Sequence, residues 1–315
     1  MNRENKNQYI YNKYILKLSS AAGKIGEMIM QNVFDSGFII DKDRPEDSIL
    51  FCGYEKKSYL QRPPGWEKLQ VQIQKKREEI MARGGYTLKR EEVKSVDWVE
   101  KWKKYFSKIE VGNNWIIIPS WQAEEQDLVQ SKKKYKKRIP LIVKSGVAFG
   151  SGHHPSTQLV LTNLAKIKER FPRLESFLDV GCGTGILSLA AGKLGFNRIT
   201  AVDIDELSIA NTRDNMRLNG LTEQIELIKG DIKDMYLPKF DLAAANCLPQ
   251  IIEVIFPSLI SFLKEDSFLI LSGFMDRHKQ DIIDKVESCP GNFHIHEINS
   301  RDSWLAVTIR GKAGD

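Results

Sequence analysis

The sequence predicts an α/β protein in which an open, mainly parallel sheet follows a smaller α+β domain. From Leu141 onward, short apolar runs alternate with amphipathic segments, which is typical of a sheet covered by helices on both faces. Residues 1–121 show another order of patterns, in which two strand candidates follow one another without an intervening helix. The length of 315 residues suits two domains.

The first domain, residues 1–121, is expected to contain four strands and two helices. The predicted elements are a strand at 9–18, a helix at 20–36 closed by Gly37, strands at 38–40 and 48–52, a helix at 65–82 after Pro63 and Pro64, and a strand at 86–88. Their order, β-α-β-β-α-β, is the ferredoxin-like arrangement. The tryptophan-rich residues 96–121 are predicted to add a helix and then a strand.

The second domain, residues 141–315, is expected to follow a charged linker at 122–140. The predicted strands lie at 177–180, 199–202, 225–228, 241–245, 268–271, 293–298 and 304–309. The predicted helices lie at 184–194, 206–218, 249–263 and 276–288. In such sheets ligands bind at the carboxyl ends of the strands, near the switch point.

Charge is divided unevenly along the chain. Residues 1–140 carry 28 Lys and Arg against 19 Asp and Glu, whereas residues 141–315 carry 19 against 22. A basic first part could contact nucleic acid or a ribonucleoprotein, but solvated lysine-rich surfaces explain the same excess, and we favour that interpretation. The basic run at 132–138 is interpreted as part of the solvated linker.

Composition excludes several classes of protein. Apolar residues make up 42% and charged residues 28%, which argues against disordered, collagen-like and coiled-coil chains. The sequence has neither a run of eighteen apolar residues nor the pattern of a secretory signal, so we expect a cytoplasmic protein with no membrane contact. Separately, we expect it to be a monomer. Four widely spaced cysteines without a CxxC pair favour a reducing compartment over a disulfide scaffold or a zinc site.

The strongest local signal is a glycine-rich turn between a strand and a helix. Residues 178–187 read LDVGCGTGIL, and the G-x-G-x-G spacing is one residue shorter than the dinucleotide pattern. Glycines allow a tight turn and let a ligand approach the backbone closely. Alone, the turn is weak evidence. Asp203 ends the next predicted strand, 22 residues after Gly181, where a carboxylate can accept hydrogen bonds from a ribose diol.

Asp231 follows the third strand of this set, within Gly230-Asp231. A carboxylate there could reach an adenine amino group, or it could simply belong to a surface turn, and the sequence favours neither. Similarly, Asp205 could cap the helix that follows Asp203.

These residues resemble a known family. The segments at 179–185 (DVGCGTG) and 201–205 (AVDID) are similar to those of class I S-adenosylmethionine-dependent methyltransferases, whose seven-stranded sheet is Rossmann-like. Residues 148–157 (AFGSGHHPST) resemble the A-F-G-T-G-x-H-P-T-T segment of bacterial ribosomal protein L11 methyltransferases. Residues 245–248 (ANCL) resemble that family's A-N-I-L, and residues 272–273 its S-G. The resemblance covers residues 95–315 well and the earlier residues only by element order.

The resemblance implies a site and a reaction. Thr157, Gly181, Gly183, Asp203 and Asn246 match cofactor-contacting positions, and Asn246 and Thr157 are the catalytic candidates. The implied cofactor is S-adenosylmethionine, and the implied substrate is ribosomal protein L11, recognised by the N-terminal domain and methylated on lysine side chains, its N-terminal amine or both. No metal is implied.

Chemistry supports an amine acceptor at Asn246. Keeping a lysine neutral at pH 7 costs about 4.6 kcal/mol, and keeping an N-terminal amine neutral costs about 1–1.4 kcal/mol. A dry pocket and a neighbouring sulfonium would lower the amine pKa, and the Asn246 carbonyl could accept one amine hydrogen. Two alternatives stay open. Cys247 and Pro249, which depart from the family pattern, allow another lysine or small-amine acceptor, and a cofactor- or RNA-binding module without turnover is the second.

Overall fold

The computed structural model describes residues 10–33, 38–41, 48–56, 64–94, 107–123, 138–144, 150–289 and 293–311. Several predicted features lie outside these ranges: the Gly37 helix end, Pro63, the helix expected before residue 107, residues 124–137 of the linker with most of its basic run, and residues 148–149. The chain divides into two units, Met1–Tyr105 and Phe106–Asp315. No helix in the described ranges is long and apolar enough to cross a membrane.

The first unit confirms the predicted ferredoxin-like order. Its elements are β1 (Ile10–Ser19), α1 (Gly23–Val33), β2 (Phe38–Asp41), β3 (Ser48–Lys56), α2 (Pro64–Lys75), α3 (Arg77–Met81) and β4 (Tyr86–Lys94). The antiparallel sheet has the strand order β2-β3-β1-β4. Tyr14, Leu16 and Leu18 alternate along the central strand β1 and are fully or almost fully buried, which places the core on one face of the sheet.

A small three-stranded sheet opens the second unit. It contains β5 (Ile109–Val111), β6 (Trp115–Pro119) and β7 (Ile139–Val143), in that order. The sequence analysis placed residues 107–121 in the first domain, but the division between units falls at 105/106. The physical reason is that β6 pairs in parallel with β7, and the fully buried Trp115 donates a hydrogen bond from Nε1 to the Leu161 carbonyl, 3.0 Å away.

Two asparagine side chains bind the free edge of β7. Asn219 accepts a hydrogen bond from the Ile142 amide (3.0 Å) and donates one to the Ile142 carbonyl (2.7 Å). One helical turn earlier, Asn215 accepts from the Lys144 amide at 2.7 Å. Both asparagines lie on the helix Glu206–Asn219. Their side-chain amides bond to backbone groups of β7 that would otherwise need a further strand as partner.

The main sheet of the second unit has seven strands in the order β10-β9-β8-β11-β12-β14-β13. These are β8 (Ser176–Val180), β9 (Arg198–Asp203), β10 (Ile225–Lys229), β11 (Phe240–Asn246), β12 (Leu263–Met275), β13 (Phe293–Arg301) and β14 (Trp304–Gly311). All seven were predicted. Strands β8 to β12 run parallel, and β14 is antiparallel to both of its neighbours. The strand order reverses direction at β8, so its carboxyl end is the switch point.

Helices cover both faces of this sheet, as the near-continuous apolar strands require. The helices are α4 (Pro155–Arg170), α5 (Ile186–Lys193), α6 (Glu206–Asn219), α7 (Pro249–Ser261) and α8 (Lys279–Glu287). Phe177 packs in the core under α4, α5 and α6, whereas its neighbour Leu178 packs in the opposite core under α7 and α8. Helix α4 and strand β7 were not predicted from the sequence, and residues 96–121, where one strand was expected, contain two, β5 and β6.

Candidate active site

The site is built on the turn that joins β8 to α5. Gly181, Gly183 and Gly185 all adopt positive φ, at +72°, +57° and +76°, a region that side chains strongly disfavour. A Cβ on Gly181 would lie 2.7 Å from the Cys247 Sγ, and one on Gly185 would lie 2.6 Å from a Thr212 methyl carbon. The turn therefore requires glycine both for its backbone conformation and for its packing.

A buried carboxylate in β8 is hydrogen-bonded to the helix that follows this turn. Asp179 is 1% exposed, and its Oδ2 accepts hydrogen bonds from the amide (3.0 Å) and the hydroxyl (2.6 Å) of Ser188 in α5. Burial raises the pKa of Asp179 to about 6, against the effect of the Ser188 hydrogen bonds, which lower it. This role was not predicted from the sequence, although an acidic residue within the mostly apolar strand Ser176–Val180 indicates a buried carboxylate.

Asp203 joins the glycine turn to the next strand. Its Oδ2 accepts from the Gly183 amide and its Oδ1 from the Asp205 amide, each at 2.9 Å. Strands β8 and β9 are neighbours with Val180 opposite Val202, so the carboxylate lies at the tip of the adjacent strand, as predicted. Each carboxylate oxygen has further lone pairs, so Asp203 can still accept two hydroxyl hydrogen bonds.

Asn246 and Thr157 are brought together from positions 89 residues apart in the chain. Asn246 ends β11, and its Nδ2 donates to the Thr157 Oγ1 at 3.2 Å. Thr157 lies in the first turn of α4 and is 1% exposed. The Asn246 Oδ1 is buried and has no hydrogen-bond partner among the described residues. A buried amide oxygen without a donor is unfavourable, so this atom fits a donor supplied by a substrate.

Asp231 follows β10, at the carboxyl ends of the same parallel strands, but its carboxylate already has hydrogen-bond and ion-pair partners nearby. Its Oδ1 accepts from the Lys233 amide at 3.0 Å, and its Oδ2 forms an ion pair with the Lys233 ammonium at 3.2 Å. The carboxylate thus caps the short 3-10 turn Ile232–Asp234. The hydrogen bond from the Lys233 amide is the main effect that lowers its pKa. Asp205 likewise caps α6, accepting from the Leu207 amide at 3.2 Å.

Two histidines precede helix α4. The His154 Nδ1 accepts from the Ser156 amide at 3.3 Å and so caps the helix, while its ring lies edge-on to Trp304 with 4.3 Å between centroids. Burial lowers the pKa of His154 to about 4, which keeps the ring neutral at pH 7. The His153 Nε2 lies 3.1 Å from the Ser107 carbonyl, and burial also lowers its pKa. Across the described ranges, no group of three His, Cys, Asp or Glu side chains is placed to hold a metal.

Two threonines, which the sequence analysis did not single out, hold the glycine turn in place. The Thr184 hydroxyl donates to the Gly150 carbonyl at 2.6 Å, and the Thr212 hydroxyl donates to the Gly183 carbonyl at 3.0 Å. Sequence gives little sign of such roles, because a threonine that bonds to a distant carbonyl has no fixed spacing from its partner.

The sheet order and the glycine turn, with Asp203 at the tip of the adjacent strand, define a class I methyltransferase. Residues 20–312 match the sequence family described as Ribosomal protein L11 methyltransferase (PrmA). A protein of that name from Caldicellulosiruptor bescii is 36% identical over 219 residues, which cover 70% of this chain and 67% of that protein. The chain belongs to the ribosomal protein L11 methyltransferase family.

Further comparisons agree with this membership. The ribosomal protein L11 methyltransferase of Thermoanaerobacter pseudethanolicus is 32% identical over 229 residues, covering 73% of this chain and 70% of that protein. The crystal structure of a ribosomal protein L11 methylase from Lactobacillus delbrueckii subsp. bulgaricus matches with a TM-score of 0.58 at 28% identity. It covers 66% of this chain and 100% of that one. The protein is therefore a methyltransferase of the S-adenosylmethionine-dependent class.

Proposed function

We propose that this protein transfers methyl groups from S-adenosylmethionine to amines of ribosomal protein L11, at lysine side chains, the N-terminal amine or both. The family supplies the substrate class. The observation in this chain that carries the proposal is the buried Asn246 Oδ1, which has no donor among the described residues. It lies at the end of β11, the strand next to β8, which leads into the glycine turn. A primary amine supplies the donor that this oxygen lacks.

The residues at the strand ends fit the cofactor. Gly181 and Gly183 have positive φ and carry no side chain, so the backbone of the turn can come close to a bound ligand. Asp203 would accept the ribose hydroxyls, Thr157 and Asn246 would lie on the opposite side of the turn, and Asp231 could accept the adenine amino group if Lys233 shares it. When bound, S-adenosylmethionine supplies an activated methyl group on a sulfonium.

The chain's own residues orient the acceptor. The Thr157 hydroxyl accepts from the Asn246 Nδ2, which fixes the amide and leaves Oδ1 to accept an amine hydrogen. This interaction aims the amine lone pair and holds the nitrogen in place, so positioning is the main contribution to the rate. Among the described residues of the site we assign no general base, because His154 caps a helix, Asp179 bonds to Ser188 and Asp203 is assigned to the ribose. We infer that solvent takes the proton.

A radiolabelled methyl-transfer assay with purified ribosomal protein L11 tests the proposal. We expect wild type to transfer label and Asn246→Ala to lower kcat by about 10²-fold, the cost of losing the aim of a reacting group. Asn197→Ala is a matched control, because Asn197 is exposed and its side chain has no role in the site. Binding of S-adenosylmethionine with no label transfer from wild type to ribosomal protein L11 would contradict the proposed substrate.

A second acceptor class is tested in the same assay. Cys247 and Pro249 are the positions near Asn246 at which the resemblance to the family breaks. Cys247 packs its Sγ against Gly181, and Pro249 begins α7. A panel of other lysine-bearing proteins and small amines would identify such an acceptor. Label on a panel member, with none on ribosomal protein L11, would establish it.

We further propose that the enzyme acts as a monomer in the cytoplasm, where ribosomal proteins are made. The basic excess in residues 1–140 would support a ribosomal RNA contact only if binding to ribosomal RNA weakens steeply with added salt. Several described basic side chains already pair with carboxylates, among them Lys13 with Glu91 and Arg138 with Glu110.

A further inference from the structure

Two residues near the end of β12 hold the Asn246 turn in place. Asn246 and Ser272 are register partners on the parallel strands β11 and β12. The Cys247 amide, one residue further, donates to the Ser272 carbonyl at 3.0 Å. The backbone that carries Asn246 is therefore hydrogen-bonded to β12 in the short segment between the end of β11 and the start of α7.

Gly273 lets this backbone approach closely. Its φ is +96°, and a Cβ built there would lie 2.3 Å from the Cys247 carbonyl oxygen, 2.7 Å from its carbon and 2.8 Å from its amide nitrogen. All three atoms belong to the backbone, so they cannot move aside as a flexible side chain would. Any side chain at position 273 must displace Cys247, and Asn246 with it.

Ser272 also lies against the first turn of the helix that carries Thr157. Its side chain is fully buried, and its hydroxyl donates to the Leu305 carbonyl of β14 at 2.6 Å. The same Oγ lies 3.5 Å from the carbonyl of Ser156, the residue before Thr157. The β12–β14 register shifts between Ser272 and Phe274, so Gly273 lies in an irregularity of the ladder.

We propose that Ser272 and Gly273 are a positioning pair that fixes the distance between Asn246 and Thr157. The Ser272 carbonyl accepts from the Cys247 amide, the Ser272 side chain packs against the start of α4, and Gly273 leaves room for the Cys247 carbonyl. The pair does not touch the substrate but acts through Asn246. The inference rests on the proposed amine methylation, because it assigns the pair to aiming the acceptor and not to holding the cofactor.

Gly195 provides the matched control. Its φ of +82° is as unfavourable for a side chain as that of Gly273, but a Cβ there would have no atom within 4 Å. Gly195→Ala therefore reproduces the backbone strain of Gly273→Ala without the contact. Ser272→Ala is the milder second variant, because it removes the hydroxyl and leaves the backbone conformation accessible.

The experiment measures kcat for ribosomal protein L11 and the Kd of S-adenosylmethionine in the full chain, with each variant also placed in an Asn246→Ala background. We expect Gly273→Ala to lower kcat by about 10²-fold, Ser272→Ala by about fivefold, and Gly195→Ala by less than about twofold. The Kd should rise only a few-fold in each. In the Asn246→Ala background, Gly273→Ala and Ser272→Ala should lower kcat no further, because the group through which they act is absent.

Other results would overturn the inference. Equal losses of kcat with and without Asn246, or a loss in Gly195→Ala as large as in Gly273→Ala, would show a general structural role. If Gly273→Ala does not fold, the Ser272→Ala pair of measurements decides the question. If wild type methylates no tested amine, the proposed function fails. The positioning role is then judged by crystal structures, in which Gly273→Ala or Ser272→Ala should break the 3.2 Å contact between the Asn246 Nδ2 and the Thr157 Oγ1, and Gly195→Ala should keep it.

Discussion

Asp203 illustrates how a single side chain can be both part of the fold and part of the site. It accepts from the Gly183 and Asp205 amides and thereby holds the glycine turn against the end of β9. The Gly230 amide also donates to the Asp203 backbone carbonyl at 2.9 Å, so the ends of three neighbouring strands meet at this residue. The role in the site depends on the charge of the carboxylate, because hydrogen bonds to a charged acceptor are about twice as strong as hydrogen bonds to a neutral one.

We expect Asp203→Asn to weaken S-adenosylmethionine binding by about 10- to 100-fold while the protein stays folded. The amide keeps one acceptor oxygen for the turn but loses the charge that would bind two ribose hydroxyls, a loss of about 1.5–3 kcal/mol. Isothermal titration of wild type and variant measures this directly. Asp281→Asn removes the same charge from a carboxylate that is 79% exposed on α8, and it should leave the affinity unchanged. Equal affinity in Asp203→Asn and wild type would remove Asp203 from the cofactor site.

The residues of the site could be predicted where chemistry and backbone conformation coincide in a short segment. The glycine turn and Asp203 were predicted this way, since their roles follow from strand ends and spacing. Asp179 and Ser272 were not assigned roles, because each acts through a contact that depends on how distant elements pack. Gly273 matches the family segment, but no role could be predicted for it, because the sequence does not show which backbone passes within 2.3 Å of its Cβ position.

Helix α4 is the element that brings Thr157 to the site, and its first turn depends on a neutral imidazole. The His154 Nδ1 accepts from the Ser156 amide, which a protonated ring cannot do. The sequence did not predict this helix because its first turns bury polar side chains, among them Ser156, Thr157 and Gln158, which obscure the apolar periodicity. Strand β7 was missed for a related reason: Pro140 argues against a strand, and pairing with β6 overrides that tendency.

We expect the stability of the protein to fall as the pH drops from about 6.5 towards 4, with His154 contributing up to about 3 kcal/mol. The unfolded chain binds a proton on His154 below about pH 6.5, whereas the folded protein binds it only near pH 4, so acid favours unfolding. His154→Asn should flatten this slope, because asparagine also caps helices and does not titrate here.

Urea unfolding of wild type and His154→Asn at pH 7, 6, 5 and 4 measures the difference between their slopes. His154→Ala is the companion variant: it should flatten the slope equally but lose about 1 kcal/mol more at every pH, because the cap is absent. Parallel stability curves for wild type and His154→Asn would show that the ring does not titrate as its burial requires.

At the scale of the whole molecule, the position of the division between units determines which truncations are useful. The division along the chain falls at 105/106, and β5 and β6, within residues 109–119, belong to the second unit. The sequence analysis ended the first domain at 121 because the tryptophan-rich segment followed it without a break in composition. Pairing of β6 with β7, which is distant in the chain, places these residues in the second unit.

We expect a chain that begins at residue 106 to bind S-adenosylmethionine like the full protein and to lose methylation of ribosomal protein L11. The remaining unit keeps the whole seven-stranded sheet, while the unit we propose for substrate recognition is gone. A chain that begins at residue 122 should be less stable by at least about 3–5 kcal/mol, the cost of truncating the fully buried Trp115 alone, because it lacks both β5 and β6. Thermal unfolding compares the two chains, and undiminished methylation by the first would argue against a recognition role for residues 1–105.

The asparagines on α6 have a consequence for how the protein behaves at high concentration. A strand with unpaired peptide groups invites a strand from another molecule to add to it, and β7 would present such an edge on the side away from β6. Asn215 and Asn219 already occupy that edge with their amides. The two side chains thus keep a strand of another molecule from pairing with this edge of β7. We expect that their loss would appear first as self-association between molecules.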